Sequence, residues 1–541
     1  MKPLKIILAI VCFVAGLCAA LAQYSPLPAP GYPGITTVMR PGVGQRVFSG
    51  NVGLTNAFFS AISGDVITVG PGTYTIEAKK NSSGGAYGGL QVSNVNGLTI
   101  SGYGATIRTT NYGTMLSLSG CSNVTIAGLT FVGEMNNVTN YTNASWTIEG
   151  AIWTVTNAVN KVGKIRITDC NFRDIPDQAI SFICGAWDCE VTSCRFENIG
   201  RTNNLSGGVL PDGACISGLM MSGRVVGNTA TRVLWFFESD GDHYPYGGGA
   251  VDGLVIGNNT VRELNWQGIW FNPAGSGTAN NCVRNVYIEN NLFEFASNDY
   301  RDHRSSGGVY HTGIGGNGAW SNSVIRGNTI VGLTNYTSPT PSQQIWLANS
   351  YGPVRNILID GNRFLSSGTH AIVLSYNAGP ATMDNITIVR NVFQDVYFPM
   401  RFFCGQVRVE DNEFSAWASG TDYGGNTIGT LYLTSAASIT TNIIYGSNVH
   451  TPTNAACRTV SKIIDCGMDY VDNKFRGLAM TTPIYSSVTM TNLFFREIGA
   501  GAPTLACKPG SIFFRTDAST VGNLYVQTNA AGLNGWRNNA N

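Results

Sequence analysis

The sequence predicts a right-handed parallel β-helix, an all-β solenoid of about 10–12 coils with a small β module at its C-terminal end. Three observations predict this fold. A short strand phrase recurs along the chain, asparagines follow one another at similar intervals, and the composition suits short strands joined by tight turns. Of 541 residues, 66 are glycine and only 12% are charged. Glycine and asparagine tolerate the left-handed backbone conformations that tight turns need.

The first 22 residues have the pattern of a secretory signal peptide. Lys2 and Lys5 precede an apolar run over residues 6–21, and the small residues Ala20 and Ala22 form a cleavage site. We therefore expect cleavage after Ala22 and a secreted or cell-surface protein. No later segment approaches 18 uninterrupted apolar residues, so no membrane span is expected. The net charge of +1 gives no reason to expect nucleic acid or an anionic membrane as a partner.

The recurring phrase is an alternating strand, a turn with asparagine, and an apolar residue two positions later. Full copies occupy residues 286–293, 357–364, 386–393 and 407–414. Weaker copies end at Ala230, Val261 and Ile330, and earlier copies end at Phe131, Phe172 and Phe196. The turn asparagines are Asn228, Asn259, Asn291, Asn328, Asn362, Asn391 and Asn412, at intervals of 31, 32, 37, 34, 29 and 21 residues. The shortest interval suits one coil of three strands, and the longer intervals suit a coil with loops.

Stacked coils lie about 4.8 Å apart, so equivalent residues form columns along the solenoid. A column of asparagines lets each side-chain amide donate to the next and satisfies groups that would otherwise be buried unpaired. Cys170 and Cys194 occupy the asparagine position in two earlier copies, so we expect them to be vertical neighbours, as packed thiols or as a disulfide. Because an exported chain meets oxidising conditions, two local pairs are further disulfide candidates: Cys184 with Cys189, and Cys457 with Cys466.

These features resemble the pectate-lyase-like family of right-handed β-helices. The resemblance rests on the asparagine ladder, the repeated Ile-x-Ile-x-x-Asn-x-Phe phrase and the opening segment at residues 64–74, and it covers roughly residues 48–450. It implies the architecture but leaves the reaction open, because that family includes lyases, hydrolases, epimerases, phage tailspikes and non-enzymatic proteins.

The predicted organisation has five parts: a signal peptide at 1–22, an N-terminal linker or cap at 23–47, the β-helix at 48–450, a connecting segment of unassigned structure at 451–500, and a β-hairpin module at 501–541. The last part resembles small β modules that end some bacterial surface proteins and phage tail proteins. Because an open solenoid end exposes strand edges, we expect this module to cap the solenoid or to mediate homo-oligomer assembly.

A second strand follows each asparagine turn and carries the predicted binding residues. The aligned copies are residues 179–182, 233–236, 268–271, 308–311, 344–347 and 371–374. Strand side chains alternate, so if the aliphatic positions fill the interior, Trp235, Trp270, Tyr310 and Trp346 face outward in one column. Flat rings at one-coil spacing suit stacking against pyranose faces, which predicts a polysaccharide partner. Two alternatives remain, namely long loops that cover the column as a satellite core, or a different register.

Three carboxylates follow Trp235 at alternate positions. Glu238, Asp240 and Asp242 resemble an oxygen-ligand loop for Ca²⁺, a hard cation that prefers six to eight oxygens. An ordinary solvated acidic loop is the alternative. No other cofactor is expected.

The densest group of catalytic-type side chains directly precedes Tyr310. Proton abstraction next to a uronate carboxylate needs a cation to neutralise that carboxylate and a base to take the proton. Arg301 or Arg304 could supply the cation, His303 or His311 the base, and Asp302 could orient the imidazole. The loop is similar to the Asp-Pro-His-Asp-Arg-Ser segment of β-helical mannuronan epimerases, although the order is permuted and the proline is absent.

The same loop also offers a carboxylate pair. Asp299 and Asp302 could serve glycoside hydrolysis, which needs two carboxyl groups about 5 to 9.5 Å apart. A salt-bridged surface loop without chemistry is the third possibility. Two functions from different classes therefore follow from the sequence: a polysaccharide lyase or glycoside hydrolase, or a non-catalytic adhesin or tailspike-like protein that binds glycans without turnover.

Overall fold

The computed structural model describes residues 33–77, 89–109, 113–133, 150–155, 162–200, 213–220, 222–240, 251–272, 282–296, 312–332, 343–348, 352–375, 383–403, 405–416, 420–421, 427–433, 442–452, 460–462, 467–476, 484–486, 493–499, 509, 511–515, 524–528 and 536–538. Within them, hydrogen bonds link 46 strands into one continuous network, which forms the three faces of a solenoid. No helix in this described part of the chain is long and apolar enough to cross a membrane.

A small cap precedes the solenoid. It consists of the antiparallel strands β1 (Ile35–Arg40) and β2 (Gly44–Ser49) and the helix α1 (Gly50–Phe59). The helix, which the sequence analysis missed, buries Leu54 and Phe58 against the first coils. Arg40 pairs with the buried Asp65 at 2.8 Å and thereby ties the cap to the start of the solenoid.

The chain then winds through three parallel sheets. The first sheet contains β3 (Val66–Val69), β6 (Asn96–Ser101), β9 (Ser122–Ala127), β12 (Val162–Thr168), β15 (Cys189–Thr192), β18 (Gly223–Val226), β20 (Val251–Asp252), β21 (Leu254–Gly257), β23 (Cys282–Arg284), β24 (Tyr287–Glu289), β27 (Ala319–Arg326), β30 (Val354–Asp360), β32 (Met383–Val389), β34 (Gln406–Glu410), β39 (Asn442–Gly446), β42 (Gly467–Val471) and β45 (Leu493–Gly499).

The second sheet begins after the asparagine turn. It contains β4 (Gly72–Ile76), β7 (Ala105–Thr109), β10 (Thr130–Val132), β13 (Asn171–Ile175), β16 (Arg195–Ile199), β19 (Thr229–Asp240), β22 (Thr260–Asn272), β25 (Leu292–Phe295), β28 (Thr329–Val331), β31 (Arg363–Ser375), β33 (Val392–Phe402), β35 (Glu413–Ser415), β40 (Val449–Thr451) and β43 (Lys474–Phe475).

The third sheet consists of the C-terminal halves of β19, β22, β31 and β33 together with separate strands. These are β5 (Leu90–Ser93), β8 (Leu116–Ser119), β11 (Gly150–Val155), β14 (Gln178–Trp187), β17 (Ala214–Met220), β26 (Thr312–Asn317), β29 (Gln343–Ala348), β38 (Leu431–Leu433), β41 (Val460–Lys462) and β44 (Ile484–Ser486). A separate antiparallel pair joins β36 (Gly420–Thr421) and β37 (Thr427–Ile428).

The predicted parallel solenoid is confirmed, and it is longer than the 10–12 coils expected. Parallel pairing continues past residue 450, because β39 pairs with β42 and β42 pairs with β45. β45 then pairs in parallel with β46 (Ile512–Arg515), which is followed by the antiparallel strands β47 (Leu524–Gln527) and β48 (Trp536–Asn538). The segment that the sequence left unassigned therefore contributes further coils.

The predicted asparagine ladder runs along the bend between the first and second sheets. Each side-chain Nδ2 donates to the Oδ1 of the next asparagine at 2.8–3.0 Å, and every member is buried. The structure adds two rungs, Asn448 and Asn473, to the seven predicted. Backbone N–H groups of each rung also donate to the next Oδ1, so the ladder satisfies polar groups that the bend would otherwise bury unpaired.

The cysteines replace asparagine at the N-terminal end of the ladder. Cys194 donates its backbone N–H to Asn228 Oδ1 at 2.9 Å, and Cys170 lies one rung earlier. Both are buried free thiols, and burial raises the pKa of Cys194. Cys189 is also a buried free thiol, so the predicted disulfide between Cys184 and Cys189 is wrong; Cys189 lies inside the lumen among apolar side chains.

An inward stack of phenylalanines includes a histidine. Phe393 and Phe414 stack at 4.7 Å, and the His450 ring lies 5.0 Å from Phe414 with an interplanar angle of 4°. Tyr445 Oη lies 3.3 Å from His450 Nε2 and 2.7 Å from Thr430 Oγ1. Burial lowers the pKa of His450 to about 3, so this imidazole is neutral at physiological pH.

Acid should destabilise the solenoid through His450. The unfolded chain binds this proton near pH 6.5, whereas the folded chain binds it near pH 3. Above about pH 6.5 both states are neutral, and the free energy of unfolding has its full value. It decreases as the pH falls toward 3, by on the order of a few kcal/mol, because only the unfolded state takes up the proton in that range. His450→Phe continues the ring stack and should lose less apparent Tm than the wild type between pH 7 and pH 4. Parallel losses in both proteins would contradict this account.

Candidate functional site

The outer face of the third sheet carries one continuous column of side chains. Ile269 and Phe271 belong to the lumen core, so Trp270 between them faces outward. Strand pairing places equivalent residues above and below it. In chain order, this outer column contains Trp153, Ser181, Ser217, Glu238, Trp270, Gly315, Trp346, Val373, Arg401 and Tyr432.

Two indole rings meet at the centre of the outer column. The ring centroids of Trp270 and Trp346 lie 5.3 Å apart at an interplanar angle of 35°. Gly315 lies between them, and a β-carbon there would be 2.6 Å from the Trp346 carbonyl oxygen and 2.8 Å from Thr312 Cγ2. Only glycine leaves room for the rings of alternate coils to meet. Trp270 is 8% exposed, whereas Trp346 is partly exposed, so Trp346 presents the ring surface and Trp270 supports it.

The predicted column is wrong at Trp235. This residue pairs with Gln267, and Glu238 lies opposite Trp270. The register shifts between Val233 and Trp235, at a corner where two consecutive residues face the core instead of alternating. These are Phe236 and Phe237. A strict alternation across that corner therefore misplaces the tryptophan.

Trp235 instead packs in a small cluster outside the lumen. It is 6% exposed and contacts Trp266 edge-on, with 4.7 Å between ring centroids. Ala214 and Leu234 complete this cluster, which is separate from the main core. For Trp235, the satellite packing left open by the sequence is the arrangement found.

The alignment at Tyr310 is also wrong. In that coil the strand is β26, and Gly315 is the residue that pairs with both Trp270 and Trp346. Tyr310 itself lies outside the described residues. Gly268, the first residue of the aligned strand at 268–271, faces the core, because a β-carbon there would lie 2.8 Å from the side chain of Phe293.

A second column follows the corner beside the outer column. This corner column contains Trp235, Gln267, Thr312, Gln343, His370 and Phe398. Its side chains share a face with the outer column, since Thr312 Cγ2 reaches over Gly315. Gln267 Oε1, Thr312 Oγ1 and Gln343 Oε1 are buried and have no hydrogen-bond partner within the described chain. An unsatisfied buried polar group costs about 1–3 kcal/mol, and these three lie in successive coils of one column.

The acidic candidates divide between the described and undescribed parts of the chain. Glu238 is 4% exposed and accepts a hydrogen bond from Ser217 Oγ at 3.2 Å. Asp240 pairs through its backbone with Asn272, while its side chain and all of Asp242 lie outside the described residues. No group of three or more potential metal ligands occurs among the residues described. The Ca²⁺ site stays a prediction.

The predicted catalytic residues fall outside the described residues. They belong to residues 297–311 and are Asp299, Arg301, Asp302, His303, Arg304 and His311. Their assignment as base, cation or carboxylate pair stays a prediction. The described segments directly flanking them are β25 and β26, and β26 contributes Thr312 and Gly315 to the two columns.

No family model and no curated protein matches the chain. Among solved structures, the tailspike protein of E. coli bacteriophage HK620 in complex with a pentasaccharide is similar, with a TM-score of 0.52 and 13% identity over 85% of this chain and 83% of that chain. A variant of that tailspike, also with a pentasaccharide, gives 0.55 and 14% with the same coverage. The chain has a right-handed parallel β-helix fold. The A-module of Azotobacter vinelandii mannuronan C-5 epimerase AlgE4 is also similar, with a TM-score of 0.41 and 13% identity over 82% of this chain and 96% of that chain.

Sequence reasoning missed several residues of this face of the β-helix. Gln267, Thr312 and Gln343 carry no motif, and only the strand register brings them into one column. Arg401 had a usable signal, because residues 399–402 repeat the pattern of the aligned strands and place arginine where Trp346 stands. The alignment ended one coil too early to include it.

Proposed function

We propose that this β-helix binds a polysaccharide along the outer and corner columns of its third sheet. The observation that carries the proposal is the Trp270–Trp346 pair beside the unpartnered acceptors of Gln267, Thr312 and Gln343. A sugar offers an apolar ring face and a set of hydroxyl groups. The indoles suit the face, and the buried acceptors suit the hydroxyl donors.

The solenoid spacing also supports a chain of sugars. Successive coils are about 4.8 Å apart, which is close to the length of one pyranose unit in a polysaccharide. A glycan that runs along the column would therefore meet equivalent positions in step. The similar tailspike is described in complex with a pentasaccharide, which supports an oligosaccharide as the ligand class. The predicted signal peptide supports an encounter outside the cytoplasm.

Cleavage of the bound glycan is the second candidate function. Glu238 favours it, because this buried carboxylate lies in the outer column directly before Trp270. In a hydrolase it would act with a second carboxylate from the Asp299 and Asp302 loop. In a lyase, Arg301 or Arg304 would neutralise a uronate, and a histidine of the same loop would take the proton. The β46–β48 module would cap the solenoid or join copies of the chain.

Binding and turnover by the purified protein decide among these functions. We expect binding to at least one member of a broad array of neutral and acidic glycans. A lyase would release unsaturated ends with new ultraviolet absorbance, which His303→Ala would abolish without loss of binding. A hydrolase would release reducing ends without that absorbance, and Asp302→Asn would reduce the rate. A protein that neither binds nor degrades any glycan in the array would refute the proposal.

A further inference from the structure

The N-terminal cap carries most of the exposed large hydrophobic side chains that the structure describes. Nine such side chains are exposed among the described residues, and six of them lie within residues 39–62. They are Met39, Val43, Val47, Val52, Phe59 and Ile62, at 48–75% exposure. Exposed apolar side chains that are concentrated in one small element indicate a surface that another molecule covers.

The strand β2 is the open edge of this cap. It pairs with β1 on one side, no other described strand pairs with it, and five of its six residues are exposed. Edge strands are commonly protected by lysine, proline or a bulge. β2 contains no lysine and no proline, and its register with β1 is unbroken. Such an edge is suited to the addition of another strand.

The hydrogen bonds of the hairpin identify the backbone groups of β2 that reach the open edge. Gly50 donates its N–H to Gly34 O at 3.1 Å, one position beyond the paired strands. Hydrogen-bonded and non-hydrogen-bonded residue pairs alternate along antiparallel strands, so the even-numbered residues of β2 bond to β1. The N–H and C=O groups of Gln45, Val47 and Ser49 therefore point to the open edge.

Charge selects one register for a second copy of the same strand. Arg46 is the one charged residue of β2, and its Cζ lies 5.1 Å from the ring centroid of Phe48. A two-fold pairing that aligns Arg46 with its own copy places like charges opposite each other, which is destabilising. A two-fold pairing centred on Val47 instead places each Arg46 opposite the partner's Phe48, where the cation meets an aromatic ring.

We propose that two copies of the chain pair through β2, antiparallel to each other about a two-fold axis at Val47. The open-edge groups permit this register, because Val47 then faces its own copy and Gln45 faces the partner's Ser49. The sheet continues from one copy into the other. Met39 lies on the same face as Val47, since it pairs with Gln45, so both copies contribute to one apolar strip. A two-fold contact closes after two copies.

This contact is separate from the proposed glycan site. The hairpin extends the first sheet, because β1 pairs with β3, whereas the tryptophan pair lies on the third sheet. β2 has six residues, so the interface is small, and small interfaces are reversible. We therefore expect a dimer with a dissociation constant on the order of 1–100 µM.

Sedimentation velocity of the purified protein over a series of concentrations measures this equilibrium. Val47→Lys places two ammonium groups opposite each other at the axis and should weaken dimerisation by about 10-fold or more. Val43→Lys adds the same charge at a similarly exposed residue in the turn before β2, outside the paired segment, and should match the wild type. Circular dichroism and thermal unfolding of both variants establish that the fold is unchanged.

A cysteine crosslink tests the register without adding charge. Hydrogen-bonded antiparallel residues lie about 5.5 Å apart between Cα atoms, within the range of a disulfide. Val47→Cys should therefore give covalent dimers when oxidised glutathione accepts the two electrons and two protons of the paired thiols. Val43→Cys and the wild type should not.

Several results would overturn the proposal. These are a wild type that stays monomeric at every concentration, a trimer, and equal effects of Val47→Lys and Val43→Lys. Dimers that persist unchanged in Val47→Lys would place the contact elsewhere, for example in the β46–β48 module. Equal crosslinking of Val47→Cys and Val43→Cys would contradict the register and with it the proposed axis.

Discussion

Replacing Asn362 with leucine is expected to lower the free energy of unfolding by about 3–5 kcal/mol. Its Oδ1 accepts from both the backbone N–H and Nδ2 of Asn328 at 3.0 Å, and its Nδ2 donates to Ile325 O and Asn391 Oδ1. Leucine has a similar size, so the loss is one of hydrogen bonding. The buried partners above and below are left without their bonds, and water does not reach them.

The comparison needs an asparagine outside the ladder. Asn56 is exposed on α1, so Asn56→Leu introduces the same side chain at little cost. Thermal and urea unfolding of both variants measure the difference. Equal stability of Asn362→Leu and Asn56→Leu would show that the ladder does not hold the coils together.

Removal of the presented indole should have the largest effect on binding. Trp346→Ala is expected to weaken glycan binding by about 30-fold or more, since truncating a central aromatic anchor costs about 2 kcal/mol. The ring is partly exposed and is held at a fixed tilt by Trp270. Calorimetric titration with the best glycan of the array gives the affinity.

Trp187→Ala is the matched control for that measurement. Trp187 is 38% exposed, contacts Lys164 and lies at the edge of the first sheet, away from the outer column. Its removal should leave glycan affinity unchanged. If both tryptophan variants lost affinity equally, the effect would reflect general destabilisation and not the loss of a sugar platform.

The architecture was predictable because its determinant is local and repeated. The asparagine position can be read from the phrase at Asn362 or Asn391 without knowledge of distant contacts, and the stacking at 4.8 Å follows from strand geometry. The rung at Asn448 was missed because its phrase has His450 in place of the phenylalanine, whereas Asn473 keeps the Asn-x-Phe ending at Phe475 and lies beyond that interruption.

The proposed binding face was harder to predict because the strand register changes at the bend between the second and third sheets. Alternation places Trp270 and Trp346 on one face, but the register shifts between Val233 and Trp235, and the two residues before Glu238 both face the core, so Trp235 leaves the column. An extra residue at such a bend cannot be recognised from the amino-acid composition. The helix α1 was missed for a related reason, since its burial of Leu54 depends on the open end of the solenoid and not on a helical repeat.

A crystal structure with a bound oligosaccharide tests the central claim most directly. The sugar chain should lie along the third sheet, with one ring face on Trp346 and hydroxyl groups on Gln267, Thr312 or Gln343. An oligosaccharide bound on the first or second sheet, with those acceptors untouched, would contradict the account while leaving the solenoid and its ladder as described.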